Sequence, residues 1–145
     1  MFVGTCDFPR YLQMDQYSCG ARSVYAICRH WGVSKSYGDV KEELGCTEDG
    51  VNVQPMVQFL RAQGFRVGYR PTMYMKDLKK TFEKGGVALI HVDGDHFVVV
   101  HGMSNKYIAI ADPSFYRCPT RTISKKTFQK RWGYWGLAVF PPRET

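Results

Sequence analysis

The chain has 145 residues, 44% of them hydrophobic and 14% aromatic, and its 20 Lys plus Arg against 13 Asp plus Glu give a net charge of +7. That length fits one domain over 1–145 with a core of its own, in no need of a disulfide or metal staple, and the apolar content excludes intrinsic disorder. No apolar run approaches the roughly 20 residues of a membrane-spanning helix, and the first ten residues, with Asp7, Pro9 and Arg10, lack the apolar stretch of a signal peptide.

The five cysteines, Cys6, Cys19, Cys28, Cys46 and Cys118, form no C-x-x-C pair. An odd count without a secretory signal reads as reduced thiols in a cytoplasmic setting, one of them available for chemistry. The basic residues are densest over Lys76–Lys84 and Lys125–Arg131. Both read as solvated faces of amphipathic helices, so neither nucleic-acid binding nor membrane insertion is expected.

In chain order, the first predicted helix starts after Ser18 as N-cap. It carries Ala21, Val24, Ile27, Cys28 and Trp31 at three- and four-residue spacing, and Gly32 ends it. Asp39–Leu44, closed by Gly45, and Pro55–Gln63, closed by Gly64 with Met56, Phe59 and Leu60 as its stripe, are two more. Phe65–Arg70 reads as a strand, and Met75–Lys84 as a helix with Leu78 and Phe82 inward. Three β-branched-rich strands follow, Val87–Val92, Phe97–Met103 and Tyr107–Ala111. Lys125–Trp132 reads as a helix and Trp135–Phe140 as a closing strand; Trp132, Tyr134 and Trp135 could line a peptide groove but read first as core aromatics. Helices first and an antiparallel sheet second make an α+β domain.

Cys19 stands in the first turn of the first helix, where free N–H groups and the helix dipole favour an anion. Thiols in such places ionise more readily, and the thiolate is the attacking species. Gly20 leaves the backbone there open to close approach by a substrate. An acyl-transfer nucleophile needs donors aimed at the developing oxyanion. Gln13, six residues earlier, is a candidate donor with the Cys19 N–H, and Gln16 is its rival.

Four histidines could serve as base: His30, His91, His96 and His101. His30 lies roughly 16 Å along the helix from Cys19, too far to take its proton. His96 opens a strand after the Asp93-Gly94-Asp95 turn, and alternation puts it on the face of Val98 and Val100, opposite His101. The turn Ser104-Asn105-Lys106 folds the next strand back, so Asp112 at its tip comes within one or two positions of His96. A one-residue slip would turn the carboxylate to the other face. In register, Asp112 would hold one imidazole nitrogen and leave the other for the thiol. A metal centre built from His91, Asp93, Asp95, His96 and His101 is the competing use, but these residues show no established ligand spacing. No metal and no cofactor is expected.

Gln13, Cys19-Gly20-Ala21 opening a helix, His96-Phe97-Val98-Val99-Val100 and Asp112-Pro113-Ser114, in this order, resemble the papain-like cysteine peptidases. The nearest resemblance is to the bacteriocin-processing (double-glycine leader) peptidases and their stand-alone relatives, over nearly the whole chain; Gly50–Gly64 looks like the middle of that domain. The resemblance implies a papain-like fold, with N-terminal helices packed on a C-terminal antiparallel sheet. It implies a nucleophile at Cys19, a base at His96, an orienting acid at Asp112 and an oxyanion donor at Gln13. The implied activity is cleavage after small residues, usually Gly-Gly, in a leader peptide. The partners are then a peptide or protein substrate and an exporter; since no exporter domain follows Thr145, that exporter is expected on another chain. Arg22 and Ser23 depart from the family pattern, which has small or apolar residues there. The same constellation also serves acyl transfer to an amine, as in transglutaminase-like proteins, or an inert peptide-binding module.

Overall fold

The computed structural model describes residues 1–114 and 121–142; Cys118 lies outside them. In chain order the elements are β1 (Val3–Gly4), α1 (Cys19–His30), α2 (Tyr37–Glu43), α3 (Val53–Ala62), β2 (Arg66–Arg70), α4 (Met75–Glu83), β3 (Val87–Val92), β4 (His96–Met103), β5 (Tyr107–Ala111), β6 (Thr122–Ser124), α5 (Lys125–Arg131) and β7 (Trp132–Phe140). The expected helices and strands form within a few residues of their predicted limits. The additions are β1 and β6, two and three residues long, too short to show a period.

The start and stop of α1 have different grounds. Gly32 stops it in the left-handed region at φ 73°, where only glycine rests without strain. Ser18 sits at the N-cap, but its side chain makes no cap bond. Asp15 instead fixes the turn that leads into the helix, its Oδ1 accepting the N–H groups of Tyr17 at 3.0 Å and Ser18 at 2.8 Å.

The strands form one antiparallel sheet in the order β2-β7-β3-β4-β5-β6, with β1 added beside the far end of β4. Gly102 permits that addition, because a Cβ there would lie 2.9 Å from Val3 O. Helices cover both faces. Val87, Leu89, Phe97, Val99, Leu137 and Val139 bury against α1 and α3. Ala88, Ile90, Val92, Val98, Val100 and Ala138 bury with Leu78 and Phe82 of α4 and Phe128 of α5. Burial on both sides is why β3 and β4 read as unbroken apolar runs rather than an alternation. The N-terminal helices pack on the sheet as expected, and α4 and α5 add a second helical layer behind it.

Candidate active site

Cys19 is the first residue of α1 and is 8% exposed, while His96 is 5% exposed and Asp112 wholly buried. His96 Nε2 meets Asp112 Oδ1 at 2.5 Å. That same carboxylate oxygen accepts the Ser114 N–H at 2.8 Å. With Nε2 committed, the ring's other nitrogen is left for the Cys19 sulfur, whose pairing with the imidazole helps the ring hold its proton. The sulfur also accepts the backbone N–H of Phe97 at 3.4 Å. A thiol, an imidazole and a carboxylate thus form one connected chain at the tip of β4.

A single extra residue makes that chain possible. Near the turn, β4 pairs with β5 as Met103 opposite Ile108 and Gly102 opposite Ala109. Carried straight down the ladder, this register would set Asp112 opposite Val99, on the face away from His96. A bulge intervenes at His101, and beyond it Val100 faces Ile110 and Val99 faces Ala111. Asp112 therefore shares a face with Val98 and His96. The bulge is tied to the residue that follows β1: Thr5 N–H donates to His101 O at 2.9 Å, and His101 Nδ1 meets Thr5 O at 2.6 Å. His101 itself stacks on Phe8 and is 3% exposed, away from the thiol. His30 packs on the other side of Phe8.

The four rings differ in basicity. Burial works against the charged form of His96, but its bonds to Asp112 and Cys19 outweigh it, and the imidazolium is pushed up to about 9. Burial holds His30, His91 and His101 below the ordinary histidine range. Among the other thiols, burial pushes Cys28 up to about 11 and raises Cys46, which keeps both protonated and unreactive.

Cys19 opens into a cleft of about 380 Å³ whose walls include Gln16, Tyr17, Val51, His91, Asp95 and Phe97. The His91 and Phe97 rings, 3.9 Å apart, form an aromatic part of that wall, and Trp135 packs against His91 at 4.6 Å. Of the three aromatics read as core, Trp132 is buried against Phe128 and Trp135 packs at the core's edge. Tyr134, at φ 57°, is 37% exposed and is not a core residue, because β7 turns its side chain outward there. The β3–β4 turn bearing Asp95 is braced from α5: Arg131 grips both carboxylate oxygens of Asp93 at 2.9 and 2.7 Å, and Asp93 N–H donates to Arg131 O at 2.8 Å.

Gln13 is fixed at both ends. Its N–H donates to Pro113 O at 2.8 Å, beside Asp112, and its Nε2 donates to Asp15 O at 2.6 Å. An amide nitrogen carries two hydrogens, so one remains for a ligand. Gln16 lines the cleft but is exposed.

Gly20 is not the open approach that its place beside Cys19 implied. A Cβ there would lie 2.5 Å from Met56 Cε and 3.2 Å from Phe97 Cδ2. The position is small because α1 packs tightly on α3 and β4. Arg22 is accounted for by its guanidinium, 3.5 Å from the centre of the Tyr37 ring. Ser23 is buried and its hydroxyl finds no partner among the described residues. Among the described residues, no three His, Cys, Asp or Glu side chains are grouped to hold a metal ion, and no helix is long and apolar enough to cross a membrane. The pairing of His91 with Phe97 in the cleft wall was not anticipated from sequence, although the register of β3 against β4 contains it.

Residues 7–144 match the family model of the peptidase C39 family. An uncharacterized protein of Methanothermobacter thermautotrophicus is 26% identical over 123 residues, which covers 82% of this chain and 79% of that protein. Among solved structures, a double glycine motif protease from an AMS/PCAT transporter, crystallised with its leader peptide, superposes with a TM-score of 0.80 at 26% identity, covering 95% of this chain and 94% of that one. The peptidase domain of Streptococcus ComA, a bifunctional ABC transporter of a quorum-sensing pathway, gives 0.79 at 20% identity, with 92% and 98% covered.

Proposed function

This chain belongs to the peptidase C39 family, and we propose that it is a cysteine peptidase that cleaves a peptide or protein after small residues of the Gly-Gly type, through a thioester on Cys19. The observation that carries this reading is the grouping of Cys19 with the His96–Asp112 pair, the thiol opening on a cleft. The Cys19 thiolate attacks the scissile carbonyl carbon while His96 carries the proton. The carbonyl oxygen becomes an oxyanion, held by the Cys19 N–H and the Gln13 side-chain amide. As the C–N bond breaks, His96 hands its proton to the leaving amine, and a thioester remains. Water then attacks the thioester with His96 as base; the acid leaves and the thiol is restored.

Asp112 holds the ring by Nε2, so the nitrogen toward Cys19 is the one that exchanges the proton. Gln13 is favoured over Gln16 because its backbone and side chain are both tied down, and a donor that need not reorganise stabilises charge best. The Gly-Gly preference and a leader-peptide substrate rest on the likeness to the double glycine motif protease. Incubation with a Gly-Gly leader peptide, read by mass spectrometry, is the test. Cleavage after the second glycine by the natural chain and none by Cys19→Ala supports the reading; equal cleavage by both overturns it. An added amine appearing in the product in place of water would assign acyl transfer instead.

A further inference from the structure

Three consecutive backbone carbonyls follow one another at the tip of β5, and all three are taken by one short stretch of the N-terminal segment. Arg10 Nε donates to Asp112 O at 2.6 Å, Gln13 N–H to Pro113 O at 2.8 Å and Arg10 Nη2 to Ser114 O at 2.9 Å. The guanidinium spans Pro113 and holds the residues on either side of it. The gripped Ser114 returns its own N–H to the Asp112 carboxylate. The stretch that grips also carries Gln13, the proposed oxyanion donor.

From this arrangement we infer that Arg10 is a positioning residue: its guanidinium fixes the Asp112 carboxylate against His96 and ties it in register with Gln13. Two reasons favour this over a merely structural contact. Proline supplies no N–H, so the Asp112-Pro113-Ser114 corner is not held by a regular ladder bond at its centre. A fork of donors in one plane also fixes direction as well as distance, which an ammonium cannot do. The inference rests on the proposed peptidase reading but is tested separately from it.

The test compares the natural chain with Arg10→Ala and Arg10→Lys in two measurements. The first is steady-state cleavage of a Gly-Gly reporter peptide. The expected result for Arg10→Ala is a kcat lower by roughly 10–10²-fold, the scale of a misplaced catalytic group, with KM within about twofold. Arg10→Lys, with one donor head in place of two, should recover only part of it. Millimolar guanidinium ion should raise the kcat of Arg10→Ala and leave the natural chain unchanged. The second measurement is the NMR titration of the His96 ring, which needs no substrate. Its midpoint, near 9 in the natural chain, should move down in Arg10→Ala as the Asp112 bond loosens.

An Arg10→Ala protein with natural kcat and an unmoved His96 midpoint overturns the inference. So does a loss of kcat that guanidinium does not relieve while the midpoint stays put, since that is what loss of packing alone would give. Should Arg10→Ala fail to fold, Arg10→Lys carries both readouts. If the natural chain cleaves nothing, the peptidase reading falls, and the His96 titration still decides whether Arg10 holds Asp112.

Discussion

β4 carries two buried histidines five residues apart, and the same strand makes opposite use of them. His96, at the tip, is 5% exposed, and His101, at the bulge, is 3% exposed. Burial alone would strip the charge from both. His96 has a carboxylate on one nitrogen and a sulfur on the other, and it keeps its proton up to about 9. His101 has a backbone carbonyl on one nitrogen and, among the described residues, no hydrogen-bond partner on the other, and it sits below the usual range. Partners, not burial, decide which imidazole can shuttle a proton. The second ring is nonetheless part of the first one's setting, because the bulge at His101 brings Asp112 onto the face of His96.

The largest expected effect comes from exchanging the two rings' fates. His96→Ala should lower kcat by about 10⁴–10⁶-fold, the range for deleting a triad member, while leaving the fold intact by circular dichroism. His101→Ala should keep kcat within about tenfold, because Thr5 N–H still holds the bulge through the His101 carbonyl, and should show its loss in Tm. Inactivation by His101→Ala at full stability would mean that the proton passes through the wrong ring here. Next in size is the oxyanion pair: Gln13→Ala should cost about 10²–10³ in kcat. Gln16→Ala, removing an exposed and untied amide, should cost only a few-fold. The reverse order would hand the role to Gln16.

The contrast between the rings also shows where sequence reading stops. The apolar stripes of α1 and α3, the strands and the order thiol, imidazole, acid were legible because they depend on period and spacing. Whether His96 and Asp112 share a face depends on one inserted residue, and a bulge leaves no periodic trace. Its anchor, β1, is two residues long. The grip of Arg10 on backbone carbonyls lies some hundred positions away in the chain and depends on no side-chain pattern. Gly20 misled for a related reason: a missing Cβ can signal a ligand or a close neighbour, and only packing distances separate the two.

The two rings should also mark opposite limbs of the pH dependence. His96 is raised in the folded chain, so its contribution to stability is complete below the unfolded value of 6.5 and is lost as pH rises through about 9. His101 is depressed, so its contribution is present above 6.5 and is lost as pH falls through its lowered value, with His30 and His91 acting in the same sense. In Tm against pH, His96→Gln should flatten the alkaline side. His101→Gln should remove part of the acid side. The same proton should end the alkaline limb of kcat/KM near 9. A limb near 6.5 would mean that Asp112 does not hold the ring in solution.

The smallest effect concerns the glycine beside the thiol, and its sign distinguishes two accounts. If Gly20 keeps the backbone open for substrate, Gly20→Ala should stabilise α1 by roughly 0.5–1 kcal/mol through helix propensity and raise KM. If packing fixes it, the new methyl meets Met56 and Phe97, and overpacking costs about 1–3 kcal/mol. The packing account expects Tm to fall or stay level, because Met56 is flexible enough to give way in part. It also expects kcat to fall by less than about tenfold with KM unchanged. Phe97 would transmit that loss, since its N–H holds the Cys19 sulfur, and any shift of Phe97 moves the thiol against His96. A rise in Tm joined to a rise in KM would return Gly20 to the substrate side of the cleft.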